Sequence, residues 1–180
     1  MRANCCSLKL LRTYAIPFTG LKLGKHLFEY QIGDEFFKEF EYSLVKKANL
    51  LCKLELDKQE TMIILNFDIK GTVTATCDKC LSEYQQPIDI EEQQIARFGE
   101  EEMGEDDEII TLGKNDHEIS VAGLIYEYVN VALPFVAQCS NQEGGKQCDE
   151  QMLDSLSKLS VTDEQAEKID PRWDALKKLK

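Results

Sequence analysis

"TMIILNFDIKGTVTATC", residues 61–77, decides how this chain is read. Ile63, Leu65, Phe67, Ile69, Val73, Ala75 and Cys77 occupy odd positions, while Asn66, Asp68, Lys70, Thr72, Thr74 and Thr76 occupy even ones. Successive side chains of a strand point to opposite faces. A period of two held this long predicts an antiparallel strand with one face in a core and the other in water. Gly71 interrupts the pattern and marks a bulge or bend.

The same alternation spreads to either side. "EYQQPIDIEEQQIARF" (83–98) reads as the return strand, with Pro87 placing part of it at a sheet edge. "NLLCKLELD" (49–57) alternates Leu50, Cys52, Leu54 and Leu56 with Lys53, Glu55 and Asp57, and "HLFEYQI" (26–32) does so with Phe28, Tyr30 and Ile32. Between those two, "DEFFKEFE" (34–41) predicts a short helix capped by Asp34, with Phe36, Phe37 and Phe40 inward. "IITLG" (109–113) suggests one more short strand. Then the period changes. Val121, Leu124, Ile125, Tyr128, Val129 and Ala132 fall at helical spacing, with Asp116 or Ser120 as cap and Pro134 as terminator. "CDEQMLDSLSKL" (148–159) predicts an amphipathic helix through Met152, Leu153, Leu156 and Leu159. After a polar stretch, "DPRWDALKKLK" (170–180) opens with Asp170 as N-cap and Pro171 at the first helical position. Strands first and helices later, without regular alternation, predict an α+β fold. The expected architecture is a twisted antiparallel sheet, open or barrel-like, with a packed helix and a C-terminal helical tail. Its divisions are a loose extension at 1–7, a domain at 8–159, and a linker with a short helix at 160–180.

The net charge of −12 over 180 residues is placed unevenly. Residues 89–108 hold ten acids and the single base Arg97, so −9 belongs to that segment and −3 to the rest. Most of it sits in a charged loop at 99–108. Phosphate binding needs a basic surface, so broad contact with nucleic acid is disfavoured and basic proteins are the natural partners. A solvated loop is the plain alternative to a docking surface built from Glu100, Glu101, Glu102, Asp106 and Asp107. No apolar run reaches the length of a membrane span, and "MRANCCSLKLLRTYAIPF" lacks the apolar block of a signal peptide.

Seven cysteines are present, an odd number that suits a reducing compartment. Cys77-x2-Cys80 ends the long strand, and Cys139-x8-Cys148 sits in a loop between two predicted helices. Two separated turns can bring four thiolates around one tetrahedral Zn²⁺. Two other readings stay open: buried thiols without a ligand, and a redox pair. Redox fits least, because Cys-x-x-Cys redox pairs open helices that lower the thiol pKa, and this pair lies between strands. Cys52 reads as core, and Cys5 and Cys6 as part of a loose terminus.

Candidates for catalysis are sparse. The two histidines, His26 and His117, read as a strand-face residue and a solvated residue at a helix start. No phosphate loop, Ser-His-Asp set or His-Glu-x-x-His motif occurs. Trp173, Leu176 and Leu179 share a helical face in the C-terminal segment, whose net charge over 170–180 is +2. That face either docks on the chain's own body or binds a partner, with Arg172, Trp173, Leu176, Lys177 and Lys178 as contacts.

The order "IPFTGLKLGKHLFEYQIGDEFF" (16–37), "GTVTATCDKCL" (71–81), "EISVAGLIYEYVNVALPF" (118–135), Cys148 and "DPRWDALKKL" (170–179) resembles the YceD family, the large-subunit (23S) ribosomal RNA accumulation proteins, and looks most like its Bacteroidetes branch. The resemblance spans roughly residues 8–180. It implies a bacterial cytoplasmic protein that is not an enzyme and supports accumulation or processing of large-subunit rRNA. Members often carry a Cys or His after the Leu-Pro segment and further cysteines beyond it, which suits Cys139 and Cys148 as zinc ligands. Together with the charge, the resemblance favours contact with a basic ribosomal protein or other large-subunit component. The competing readings are direct rRNA binding through the Thr/Lys face of residues 66–76 and the lysine-rich tail, and a zinc-stabilised interaction module of other function.

Overall fold

In a computed structural model of the chain, residues 12–41, 43–99, 109–139 and 148–160 are described. Four long strands form an antiparallel meander: β2 (Gly24–Gly33), β3 (Lys47–Lys58), β4 (Met62–Thr76) and β5 (Glu83–Phe98). β6 (Ile109–Leu112) adds to β5, giving the order β2-β3-β4-β5-β6. The sheet is open, since β2 and β6 do not pair. The expected α+β class holds.

One feature of the sheet corrects the sequence reading. β6 runs parallel to β5, with Ile95 opposite Ile109 and Phe98 opposite Leu112, so the sheet is mixed rather than antiparallel. A parallel neighbour needs a crossover instead of a hairpin, and residues 99–108 supply that connection.

β4 shows why the alternation was informative. Ile63, Leu65, Phe67, Ile69 and Val73 are all buried, while Asn66, Asp68 and Thr74 on the other face are partly exposed. Cross-strand partners keep the parity: Cys52 and Ile90 flank Ile69, and Leu56 lies opposite Leu65. Gly71 makes no bulge, because the register runs through Lys70, Gly71 and Thr72 without an inserted residue on either side. Its role is steric. Its φ is +148°, and a Cβ there would overlap the carbonyl oxygen of Asn49. Pro87 lies opposite Thr72 on a stretch of β5 that pairs with β4 alone among the described residues, the expected edge.

The core face is covered by α2 (Ala122–Ala132), with Ile125 and Val129 fully buried. The Tyr128 ring meets Phe67 edge-on at 5.3 Å, and its hydroxyl donates to Gln94 Oε1 at 3.1 Å. α2 stops where Leu133 turns extended before Pro134. Neither Asp116 nor Ser120 caps it; Val121 holds the N-cap without a side-chain bond. Asp116 accepts instead from the Gly113 N–H at 2.8 Å. Ser120 and Ile119 form β7 (Ile119–Ser120), which pairs with β1 (Ala15–Ile16). α1 (Asp34–Lys38) buries Phe36 and Phe37, yet Gly33 is its N-cap. Asp34 accepts from the Ala48 N–H at 2.8 Å and so ties α1 to β3. α3 (Glu150–Leu159) is capped by Asp149, whose carboxylate accepts from the Gln151 N–H at 2.9 Å.

The wet face of the sheet is charged. Lys70 Nζ lies 3.1 Å from Asp68, 3.6 Å from Asp89 and 3.8 Å from Glu91. Lys25 pairs with Glu55 at 2.8 Å. No helix among the described residues is long and apolar enough to cross a membrane.

Candidate metal centre

Cys77 directly follows β4 and continues its buried parity, and the chain turns sharply after it. The Cys77 N–H donates to the Ser82 carbonyl at 2.9 Å, and the Leu81 N–H donates back to the Cys77 carbonyl at 2.9 Å. Leu81 takes φ +61°, a left-handed conformation rare for a residue with a side chain. Backbone N–H groups converge on the sulfurs: those of Lys79 and Cys80 in the turn, with that of Cys139, at Cys77, and that of Ser82 in the turn, with that of Asp149, at Cys80.

The second half of the site comes from two further segments. Asp78 and Ala137 exchange two hydrogen bonds, which holds the segment bearing Cys139 against the turn. The capped start of α3 brings in Cys148. All four Sγ atoms lie within 4.8 Å of one another. Cys80 and Cys139 approach to 3.7 Å, and Cys139 and Cys148 to 3.3 Å. These are not disulfide distances, and all four thiols are free. Cys77, Cys80 and Cys139 are buried with Tyr84 in a small cluster of their own, with Ala75, Ala137, Cys148 and Met152 packed on it.

The thiols differ sharply in acidity. At Cys80 the Asp149 N–H, followed by the backbone and side chain of Ser82, pulls the pKa down to about 6. Cys77 is also lowered, its backbone donors outweighing burial. Cys139 is pushed up to about 12, first by its hydrogen bond to Cys148 and then by burial. Cys148 is raised on balance: its bond to Cys139 lowers it, but burial and the bonds to Cys80 and Cys77 outweigh that. Backbone donors thus favour charge on Cys80 and Cys77, while crowding and burial oppose it on Cys139 and Cys148. A divalent cation removes that conflict, because it neutralises neighbouring thiolates. A zinc ion with Zn–S bonds of ~2.3 Å needs sulfurs ~3.8 Å apart. The spread seen here brackets that spacing, and the all-sulfur donor set suits a soft or borderline ion. The four cysteines therefore fit a structural metal site, closed by four protein ligands with no open position for substrate.

The residues that orient this set were not singled out by sequence. Asp78 and Asp149 each follow a cysteine, and the shared Cys-Asp dipeptide was the available signal. Cys52 is core as expected, fully buried in β3. His26 sits on β2 and contacts the Lys22 carbonyl at 2.8 Å. His117 precedes β7 rather than starting a helix, and its carbonyl accepts from Thr19. Glu100, Glu101, Glu102, Asp106 and Asp107 lie outside the described residues, as do Arg172, Trp173, Leu176, Lys177 and Lys178, with Cys5 and Cys6.

A model of one protein family, described as "Large ribosomal RNA subunit accumulation protein YceD", matches residues 65–180. The match takes in most of β4, then β5, α2, α3 and all four clustered cysteines. No curated protein and no solved structure matches the chain.

Proposed function

Since this chain belongs to the YceD family of large ribosomal RNA subunit accumulation proteins, we propose that it is a non-enzymatic cytoplasmic factor that supports accumulation of large-subunit rRNA by holding a basic ribosomal protein. In this reading Glu100, Glu101, Glu102, Asp106 and Asp107 stand in for the phosphates that the basic protein meets on rRNA. The cations Arg172, Lys177 and Lys178 make a second contact. The bound metal is structural: it joins the β4–β5 turn to the segments that carry Cys139 and Cys148.

The observation that carries this choice over direct RNA binding is the surroundings of Lys70. A strand face that gripped phosphate would need its lysines free. Lys70, the lysine on that face of β4, lies within 4 Å of Asp68, Asp89 and Glu91. An RNA backbone approaching it would meet three carboxylates for one ammonium, and repulsion would outweigh attraction.

Affinity purification from cells tests the proposal. The wild-type chain is expected to retain a basic ribosomal protein, and a variant with the five named acids changed to Gln or Asn is expected to lose it. Binding of purified large-subunit rRNA that weakens steeply with salt and survives the neutralisation would favour the direct RNA-binding reading instead.

A further inference from the structure

β2 is the outer strand of the sheet. It pairs with β3 from Gly24 to Gly33, and among the described residues no strand pairs with its other side. Near its end the Tyr14 hydroxyl donates to the Gln31 carbonyl at 3.5 Å, which leaves Gly24–Tyr30 as the free stretch. An unpaired edge is a template for another strand, and proteins that avoid such pairing shorten the strand, bulge it, or give it proline or repelling charges. β2 is ten residues long, has no proline, and keeps an unbroken register with β3. Its wet-face charges in the free stretch are one of each sign, Lys25 and Glu29, both exposed. Midway between them Leu27 is 79% exposed.

We infer that this edge pairs with the same edge of a second copy, antiparallel about a two-fold axis at Leu27. Leu27 then lies opposite Leu27 of the second copy, Lys25 opposite Glu29, and Glu29 opposite Lys25. On the other face His26 meets Phe28 of the second copy. Charge selects this register. Moving the axis to Lys25 or to Glu29 sets a charge opposite its own copy, which repels. Moving it to His26 or Phe28 sets both charges opposite neutral side chains, Leu23 and Leu27 or Gln31 and Leu27. Only the axis at Leu27 makes two attractive pairs, and a patch complementary to itself is what a closed two-fold contact requires. Lys25 also pairs with Glu55 at 2.8 Å, but its side chain is 66% exposed and stays open to a carboxylate arriving from the outer side. Residues directly opposite one another share a face of the sheet. The two wet faces therefore lie side by side in one continuous sheet. The inference stands independently of the ribosomal reading.

Sedimentation velocity of the untagged full chain in reducing buffer tests it. The wild type should form a dimer that dissociates on dilution, because one strand pairing is a small interface. Lys25→Glu sets carboxylates opposite each other, and Glu29→Lys sets ammonium groups opposite each other. Each should weaken self-association about tenfold or more, with circular dichroism unchanged. Mixed together, the two single variants should associate with one another, because each reversed residue then meets its opposite. A chain carrying both changes should dimerise again. Leu27→Asp, which places two carboxylates on the axis, should be monomeric. A wild type that is monomeric at every concentration would overturn the inference. So would dimers that persist in Lys25→Glu and Leu27→Asp, or folded single variants that ignore one another when mixed.

Discussion

Asp78 and Ala137 are joined twice: the Asp78 N–H donates to the Ala137 carbonyl at 2.7 Å, and the Asp78 carboxylate accepts from the Ala137 N–H at 2.7 Å. The pair spans most of the distance in sequence between the two halves of the cysteine set, and it fixes where Cys139 meets Cys80. Groups that orient metal ligands typically cost 10–100-fold in affinity when removed. Asp78→Ala should therefore weaken metal binding by about that factor, and Asp78→Asn, which keeps an acceptor but not the charge, by less. Competition against a chromophoric chelator measures both. Unchanged affinity in the alanine variant would remove Asp78 from the site's support.

Untagged protein isolated from cells should contain one divalent ion per chain by elemental mass spectrometry. Cys80→Ser and Cys148→Ser should each deplete it. α3 has no fully buried residue, and Cys148 and Met152 pack it on the sulfur cluster. After chelation, hydrogen exchange should quicken in α3 before it does in β3 and β4. Retention of the ion by Cys148→Ser would mean that α3 is not held through the metal.

Gly71→Ala should destabilise the sheet by about 2–4 kcal/mol, read as a lower urea midpoint with an unchanged slope. Two costs add: a positive φ that alanine resists, and a methyl group driven into the Asn49 carbonyl. A loss within about 0.5 kcal/mol, the range of ordinary surface changes, would show that β3 and β4 separate there cheaply.

Alkaline stability should depend on Cys52. Burial first, and then the Asp68 carboxylate, push its thiol up to about 12 from an ordinary 9.0. Tyr30, facing it across β2 and β3, is likewise pushed up to about 12, chiefly by burial. Both groups hold their protons more tightly when folded than unfolded. Their contribution is complete below about pH 9 and is lost as pH rises toward 12, because the unfolded chain releases those protons first. Cys52→Val should flatten the Cys52 part of that decline in urea titrations between pH 8 and 11. An identical alkaline slope in wild type and variant would count against this assignment.

The sheet was largely legible because its alternation is unbroken. β5 begins and ends where the sequence placed it, at Glu83 and Phe98, since a core on one face and water on the other leave no other parity for Tyr84, Ile88 and Ile90. The four cysteines were legible because thiols in two turns have few reasons to coexist. Pairing direction was not. Ile109 to Leu112 look alike whether they run parallel or antiparallel to β5, and that choice depends on the path of the connection. The two-residue ladder of Ala15 and Ile16 with Ile119 and Ser120 is too short to leave a period. Capping failed for a related reason. Asp34 and Asp116 have the right chemistry for helix starts, but unpaired N–H groups at Ala48 and Gly113 lay closer.

The Gly99 N–H donates to the Leu112 carbonyl at 3.1 Å, so the chain leaves β5 beside the far end of β6 and re-enters the sheet at Ile109, opposite Ile95. A segment fastened at both ends in this way is a replaceable cassette. Its length can vary at small entropic cost. Selection can thus adjust what this surface attracts as though turning a dial, while the scaffold beneath stays fixed.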